Sequence, residues 1–361
     1  VGIRVQYGAS GLTLGGGANR GFKILSGGTT DYLVQLANGP SNVTISYNEL
    51  NISGNAWNGI SAGTGATGLT IDQNEFLAGD DFDTSILGAG LVDLRVRDND
   101  FTGAGAGPFS AYALDLYGVT KSSLTESVIS GNQIRDYPYG IRVLNYLGTS
   151  DLKIDHNTLD DCRYGLQLIG LADPPFTGDM TAVTVTNNEI NGCLFGFNLR
   201  DLGTHVVAST FTIQNNTFTG NTYGFISEHD TEVVELSQND FSGNTDYAVR
   251  ATGAAAADAR LNWWGDASGP SGEGPGSGDA VSTNVIFSPW LGTTAGTTPM
   301  TYGVDPSSPT ALQDAYDAAA DGDTILAMPG TYNGFVADDA KEVTIDTTAG
   351  GVVVEGASYA L

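Results

Sequence analysis

Residues 69–76 read "LTIDQNEF": alternating apolar residues, then an Asn, then an apolar residue two positions on. The octet returns as "VTISYNEL" (43–50), "LRVRDNDF" (94–101), "SVISGNQI" (127–134), "LKIDHNTL" (152–159), "VTVTNNEI" (183–190), "FTIQNNTF" (211–218) and "VELSQNDF" (234–241). Successive Asn positions lie 23 to 33 residues apart, the period of one coil of a three-sided solenoid. Between the octets runs a second strand: "NGISA" (58–62), "YALDL" (112–116), "YGIRV" (139–143), "YGLQL" (164–168), "FGFNL" (195–199), "YGFIS" (223–227) and "YAVRA" (247–251). Two strands per period, stacked in register, make parallel sheets in which no rung buries its apolar face alone.

Strand alternation points Ile141 and Val143 inward and Arg142 outward. Asn48, Asn74, Asn99, Asn132, Asn157, Asn188, Asn216 and Asn239 are expected to form a structural ladder, each amide bonding its neighbour and satisfying turn backbone, as stacked amides do in cross-β structures. Fifty glycines fit a chain of many turns and short strands. The fold class expected is all-β: a right-handed single-stranded parallel β-helix of about ten coils, with a C-terminal segment of one short helix and strands.

Forty-one acids against 14 basic residues give a net charge of −27. Such a surface repels polyanions, which argues against nucleic-acid binding. No apolar run is long enough for a transmembrane segment. The chain starts at Val1 without Met or a signal peptide, which is expected of a processed protein or an excerpt of a longer one; an extracellular or cell-surface location is expected.

The Asn-x-apolar strand followed by "YGI" resembles the parallel β-helix repeats of the pectate-lyase-like superfamily and of carbohydrate-binding and sugar-hydrolase β-helix regions, over residues 1–291. The closing "NWWGDASGPSGEGPGSGDAVSTNVIFSPWL" (262–291) resembles the last coils of β-helix domains in large bacterial and archaeal surface proteins. The resemblance implies the fold firmly and function weakly, because lyases, hydrolases, epimerases, adhesins and filament proteins share these coils.

After Leu291 a Gly/Thr/Pro-rich linker is expected at 292–309, and then the pattern restarts. Leu312, Ala315, Tyr316 and Ala319 fall on one helical face, Thr310 and Gln313 suggest a capping box, and strands follow at 324–328, 342–345 and 352–356. This is how the N-terminal cap and first coils of such a β-helix read, and here they come last. Meanwhile "VGIRV" (1–5) has the pattern of an interior strand, and "GVVVEGASYAL" read into "VGIRVQYGASGLTL" gives uninterrupted first coils. The order looks circularly permuted. Residues 302–361 are expected to cap the N-terminal coil of a neighbouring copy, either a second subunit or the next repeat of a longer polypeptide, head to tail, in a filament, sheath or surface layer, through Val1, Ile3, Val5, Leu312, Tyr316, Val352 and Val354; the alternative is that they begin a following domain of a tandem protein.

The competing class is a polysaccharide-active enzyme or carbohydrate-binding adhesin. Its outward column is expected to run Arg4, Lys23, Ser61, Asp115, Arg142, Gln167, Asn198, Ile226, Arg250 beside Tyr112, Tyr139, Tyr164, Phe195, Tyr223 and Tyr247. Within it Asp115 and Arg142 are the best candidate catalytic pair, since a lyase needs a base beside an acid-bound cation and a hydrolase needs paired carboxylates. Glu228, His229 and Asp230 are the densest titratable triplet and are expected in a solvated turn. "GDDFD" groups Asp80, Asp81 and Asp83 in one loop suited to calcium; no other cofactor is expected. Cys162 and Cys193 sit two residues before the aromatic in successive repeats, which suits either a disulfide or two stacked thiols.

Overall fold

The computed structural model describes the chain apart from residues 1, 7–8, 18–20, 26–29, 53–55, 80–82, 106–109, 123–126, 172–177, 202, 338–339 and 357–361. It is a right-handed parallel β-helix. Three long sheets run its length: twelve strands beginning with Ile3–Val5, eight beginning with Thr13–Gly15, and nine beginning with Lys23–Leu25. Pairing is parallel and in register, so that Leu114, Ile141, Leu166 and Phe197 stack in one inward column and are almost wholly buried.

The octet is not one strand, as its alternation suggests, but two joined by a corner. Thr44–Ser46 belongs to the second sheet and Glu49–Asn51 to the third. The residue before each Asn turns the corner with a left-handed backbone: φ is 58° at Tyr47, 54° at Gln73, 55° at His156 and 56° at Asn187. Gly, Asn and Asp tolerate this conformation best, and Asp98, Gly131, Asn187 and Asn215 hold the slot in four coils, while Tyr47, Gln73, His156 and Gln238 hold it in the others. Each coil therefore has three strands, not two.

At this corner the Asn turns inward and bonds along the axis. Asn74 N–H and Nδ2 both donate to Asn99 Oδ1, at 2.9 and 3.0 Å, while Nδ2 also reaches the Ile45 carbonyl of the preceding coil at 2.8 Å. The pattern runs from Asn48 through Asn74, Asn99, Asn132, Asn157, Asn188, Asn216 and Asn239, and ends on Asn262, the first residue of the "NWWGD" stretch. Each amide is buried and saturated, which keeps corner backbone groups from being orphaned in the core.

A second ladder, which the octet does not reveal, closes the opposite corner. Asn221 N–H and Nδ2 donate to Asn244 Oδ1, and Asn244 donates in turn to Asp279 Oδ2. The glycine of "YG" has a steric cause: a Cβ at Gly140 would lie 2.5 Å from the Gly165 carbonyl oxygen of the next coil. The preceding aromatic stacks on its neighbours, with centroids 4.7 Å apart for Tyr112–Tyr139 and 4.9 Å for Tyr139–Tyr164.

The last coil passes into a second, smaller core. Trp290 is buried in the first core, where its Nε1–H donates to the Ala267 carbonyl, and the next residue, Leu291, is buried in the second. Strand Thr301–Val304, inside the expected linker, pairs antiparallel with Trp290–Leu291 and parallel with Thr324–Ala327, which pairs with Thr344–Thr347. A further parallel pair joins Gly330–Asn333 to Val352–Glu355. Helix Ala311–Ala318 covers these coils with Leu312, Ala315 and Tyr316. Leu312 and Tyr316 are thus placed within the chain's own fold rather than at a contact between copies, because the strands flanking the helix fill its apolar face. No capping box forms: the Thr310 hydroxyl donates to Asp314, and Gln313 bonds Asp317 and Val336.

Candidate functional surfaces

The outward column of the first sheet reads Arg4, Gln35, Ser61, Leu87, Asp115, Arg142, Gln167, Asn198, Ile226, Arg250. Lys23 is not part of it. It pairs with Glu49 on the third sheet, and the strand Thr30–Leu36, which carries no "YG", takes the place assigned to it.

Asp115 and Arg142 do meet. Arg142 Nε and Nη2 donate to the two carboxylate oxygens of Asp115, each at 2.8 Å; Nη2 also donates to Tyr117 Oη, and the guanidinium lies 4.0 Å from the Tyr112 ring centroid. Asp115 is only 3% exposed. Burial alone would lower the Arg142 pKa, but the hydrogen bonds and charge of Asp115 outweigh it and raise it, so Arg142 is held as a guanidinium that cannot accept a proton. Burial, then the charge of Asp115, pushes the Tyr117 phenol up as well. The constellation is a bidentate pair of the kind that fixes geometry.

The aromatic column is engaged with itself in a similar way. Tyr139 and Tyr164 are parallel to within 1°, and Tyr164 and Phe195 lie 4.6 Å apart. Rings stacked in this way cover one another's faces and leave edges to solvent, whereas a sugar packs on an open face.

The expectation of a solvated turn at 228–230 is overturned for His229, which is fully buried. Its Nδ1 accepts the backbone N–H groups of Thr231 and Glu232, which leaves Nε2 to donate to the Val206 carbonyl at 2.9 Å. Glu228 pairs with Asn198 and Arg200, and Asp230 accepts from Ala254 N–H. His156 bonds Asp155 and His205 bonds Asp179.

Of the "GDDFD" acids only Asp83 lies among the described residues, where it is buried and accepts from Gly79 N–H at 3.0 Å; Asp80 and Asp81 lie outside them, as does Val1. Among the described residues no three His, Cys, Asp or Glu side chains converge as metal ligands. Cys162 and Cys193 are both buried and stand on adjacent coils.

The two ends of the molecule differ from its middle. Ile3–Val5, Thr13–Gly15 and Lys23–Leu25 are the terminal strands of their sheets, and so are Thr344–Thr347 and Val352–Glu355 at the other end. Ile345 extends the column of Ile325, and Val354 that of Tyr332. Ile325 and Tyr332 are buried, while Ile345 and Val354 are 42% and 48% exposed. The charges are opposite: residues 1–30 contain Arg4, Arg20 and Lys23 and no acid, whereas 302–361 hold ten carboxylates against Lys341 alone.

Residues 109–263 match the model of the NosD family, described as periplasmic copper-binding protein. No curated protein matches the chain. Among solved structures, an alginate lyase from a Paenibacillus species is similar at 15% identity, covering 78% of this chain and 87% of that one with a TM-score of 0.25, too low to carry a site from one to the other. The copper in the family's description finds no fit among the described residues: within the matched span each histidine is engaged separately as above, and Cys162 and Cys193 contribute two thiols without a third ligand. No described helix is long and apolar enough to cross a membrane.

Proposed function

We propose that this is a structural β-helix of an exported or cell-surface assembly, whose units join head to tail. The open coil 344–355 of one copy abuts the open coil 3–25 of the next, continuing the sheets across the joint. The observation that carries this reading is complementarity: an apolar, acid-free, basic end and an apolar, strongly acidic end on one molecule. Opposite charge steers such an encounter, apolar columns such as those of Ile3 and Val354 supply the buried area, and a heterologous contact that does not close generates a filament. The helix Ala311–Ala318 then serves as the front cap of a β-helix shared between two chains, from inside its own chain. The periplasmic description of the NosD family supports export. The bidentate Asp115–Arg142 pair and the mutually covered aromatic rings favour a scaffold over a polysaccharide-active site.

The test is sedimentation velocity and electron microscopy of the 361-residue chain over a range of concentration and salt. Unbranched rods are expected, dispersing to monomers in Val354→Asp and in the double variant Arg4→Glu/Lys23→Glu, both of which keep the wild-type circular dichroism. A wild-type chain that stays monomeric at every concentration would overturn the reading and assign the open coils to further chain of the same polypeptide.

A further inference from the structure

We infer that Cys162 and Cys193 form a redox site, an inter-coil disulfide that closes in an oxidising compartment. Leu159 pairs with Ile190 on the third sheet and Tyr164 with Phe195 on the first, so the cysteines between them occupy equivalent places at one corner of adjacent coils. The rings that follow them stack 4.6 Å apart. Cys162 Sγ approaches the Asp160 carbonyl at 3.5 Å, and Cys193 Sγ approaches that of Asn191 at 3.4 Å and, across the coil boundary, that of Leu159 at 3.8 Å. The second thiol therefore leans onto the coil that carries the first. Stacked rungs lie ~4.8 Å apart, inside the roughly 4.4–6.8 Å that a disulfide spans between Cα atoms.

The corner is the one closed further along by Asn221 and Asn244. Cys193 N–H donates to Asn221 Oδ1 at 2.9 Å, but Cys162 and Cys193 have no side-chain amide with which to continue that ladder towards the N-terminus. A covalent bond would replace it where it stops. A groove of about 600 Å³ is lined by the buried pair together with Asp136, Asp161, Arg163 and Thr222, and is the side from which a small disulfide would reach the sulfurs. Hydrogen bonding with Cys162, then burial, pushes the Cys193 thiol well above its ordinary range, so attack does not begin there.

Cys162 gives its proton to water and attacks one sulfur of a low-molecular-weight disulfide, whose S–S bond breaks as one half leaves as a thiolate. Cys193 then loses its proton and attacks the Cys162 sulfur of the mixed disulfide, displacing the second half. The two cysteines give up two electrons, and the small disulfide takes them up to become two thiols. The loop closed joins residues 31 positions apart, enough for the bond to restrict the unfolded chain substantially.

The experiment refolds the full chain in oxidised and reduced glutathione, denatures it, alkylates it and determines its mass and peptide map. The expected product carries a Cys162–Cys193 link, takes up no alkylating agent and unfolds at higher urea than the same protein after reduction. The Cys162→Ala/Cys193→Ala variant, with unchanged far-ultraviolet circular dichroism, shows no such shift between oxidising and reducing buffers. Two alkylated thiols after refolding would overturn the proposal, and so would a chain arrested with glutathione on Cys162, since either result means the second sulfur does not reach the first.

Discussion

Ile325 and Ile345 are neighbours in one inward column, as are Tyr332 and Val354, yet the first of each pair is buried and the second nearly half exposed. In the middle of the long solenoid the equivalent residues Ile141 and Leu166 are sealed from both sides. All are apolar or aromatic residues at inward positions of parallel strands. Burial in a solenoid is a property of having neighbours on both faces, so one pattern yields a core in the middle and exposed apolar side chains at the edge.

The strongest way to break this contrast is at the junction, where Trp290 closes one core and Leu291 opens the other. Gly269 and Gly303 lie against the Trp290 indole so closely that a Cβ on either would fall within 2.5 Å of it. Trp290→Ala is expected to cost about 3–5 kcal/mol and to split thermal unfolding into two transitions as the cores uncouple; calorimetry reads both effects.

A middle rung and an edge rung should differ in the same sense. Asn157 accepts from the N–H and Nδ2 of Asn132 and donates to Ile129, Asp155 and Asn188, all in the interior. At the edge Asn48 also donates to three oxygens, those of Leu14, Ser46 and Asn74, but among the described residues it accepts a single, partly buried N–H from the preceding coil, that of Phe22. Urea titration is expected to show Asn157→Ala destabilising by about 3 kcal/mol and Asn48→Ala by about 1 kcal/mol, from the groups each leaves unpaired. Equal losses would mean that edge rungs are as closed as interior ones.

The smallest effect is electrostatic. Partial burial alone would raise the Asp155 pKa, but hydrogen bonds from Asn187, His156, Thr186 and Lys153 outweigh it and hold the carboxyl well below its ordinary value of 3.8. A depressed folded pKa means the unfolded chain binds the proton first, so this contribution is present above pH 3.8 and is lost as pH falls below it. Asp155→Asn should therefore flatten the acid limb of the stability curve while leaving its slope above pH 6 unchanged; an unaltered acid limb would show that these bonds do not persist in solution.

The fold was legible because its two signals are local. The octet marks a corner and "YG" marks a close approach of coils, and both recur often enough to align by eye. Less legible was anything that depends on register between coils. The left-handed residue before each Asn hid a corner inside what reads as one strand, and Thr30–Leu36, lacking "YG", let Lys23 be assigned to the wrong sheet. His229 reads as a solvated turn because flanking acids dominate its neighbourhood in sequence, whereas its partners are Val206 and two backbone N–H groups. The second ladder of Asn221 and Asn244 escaped notice because it turns into Cys193 and Cys162 after two rungs, and cysteines are not read as the continuation of amides.

The principal asparagine ladder has a sense of direction. The N–H and Nδ2 of one Asn wait for the Oδ1 of the Asn in the following coil, and that later Asn sends its own Nδ2 back to a carbonyl of the earlier coil, as Asn74 does to Ile45. The acceptor for the N–H of each ladder Asn is therefore supplied by the coil that follows it. A chain emerging from a ribosome or a translocation pore, amino terminus first, meets its missing bonds in the order in which its residues arrive, so the structure can be assembled as a queue, each arrival locking the one before.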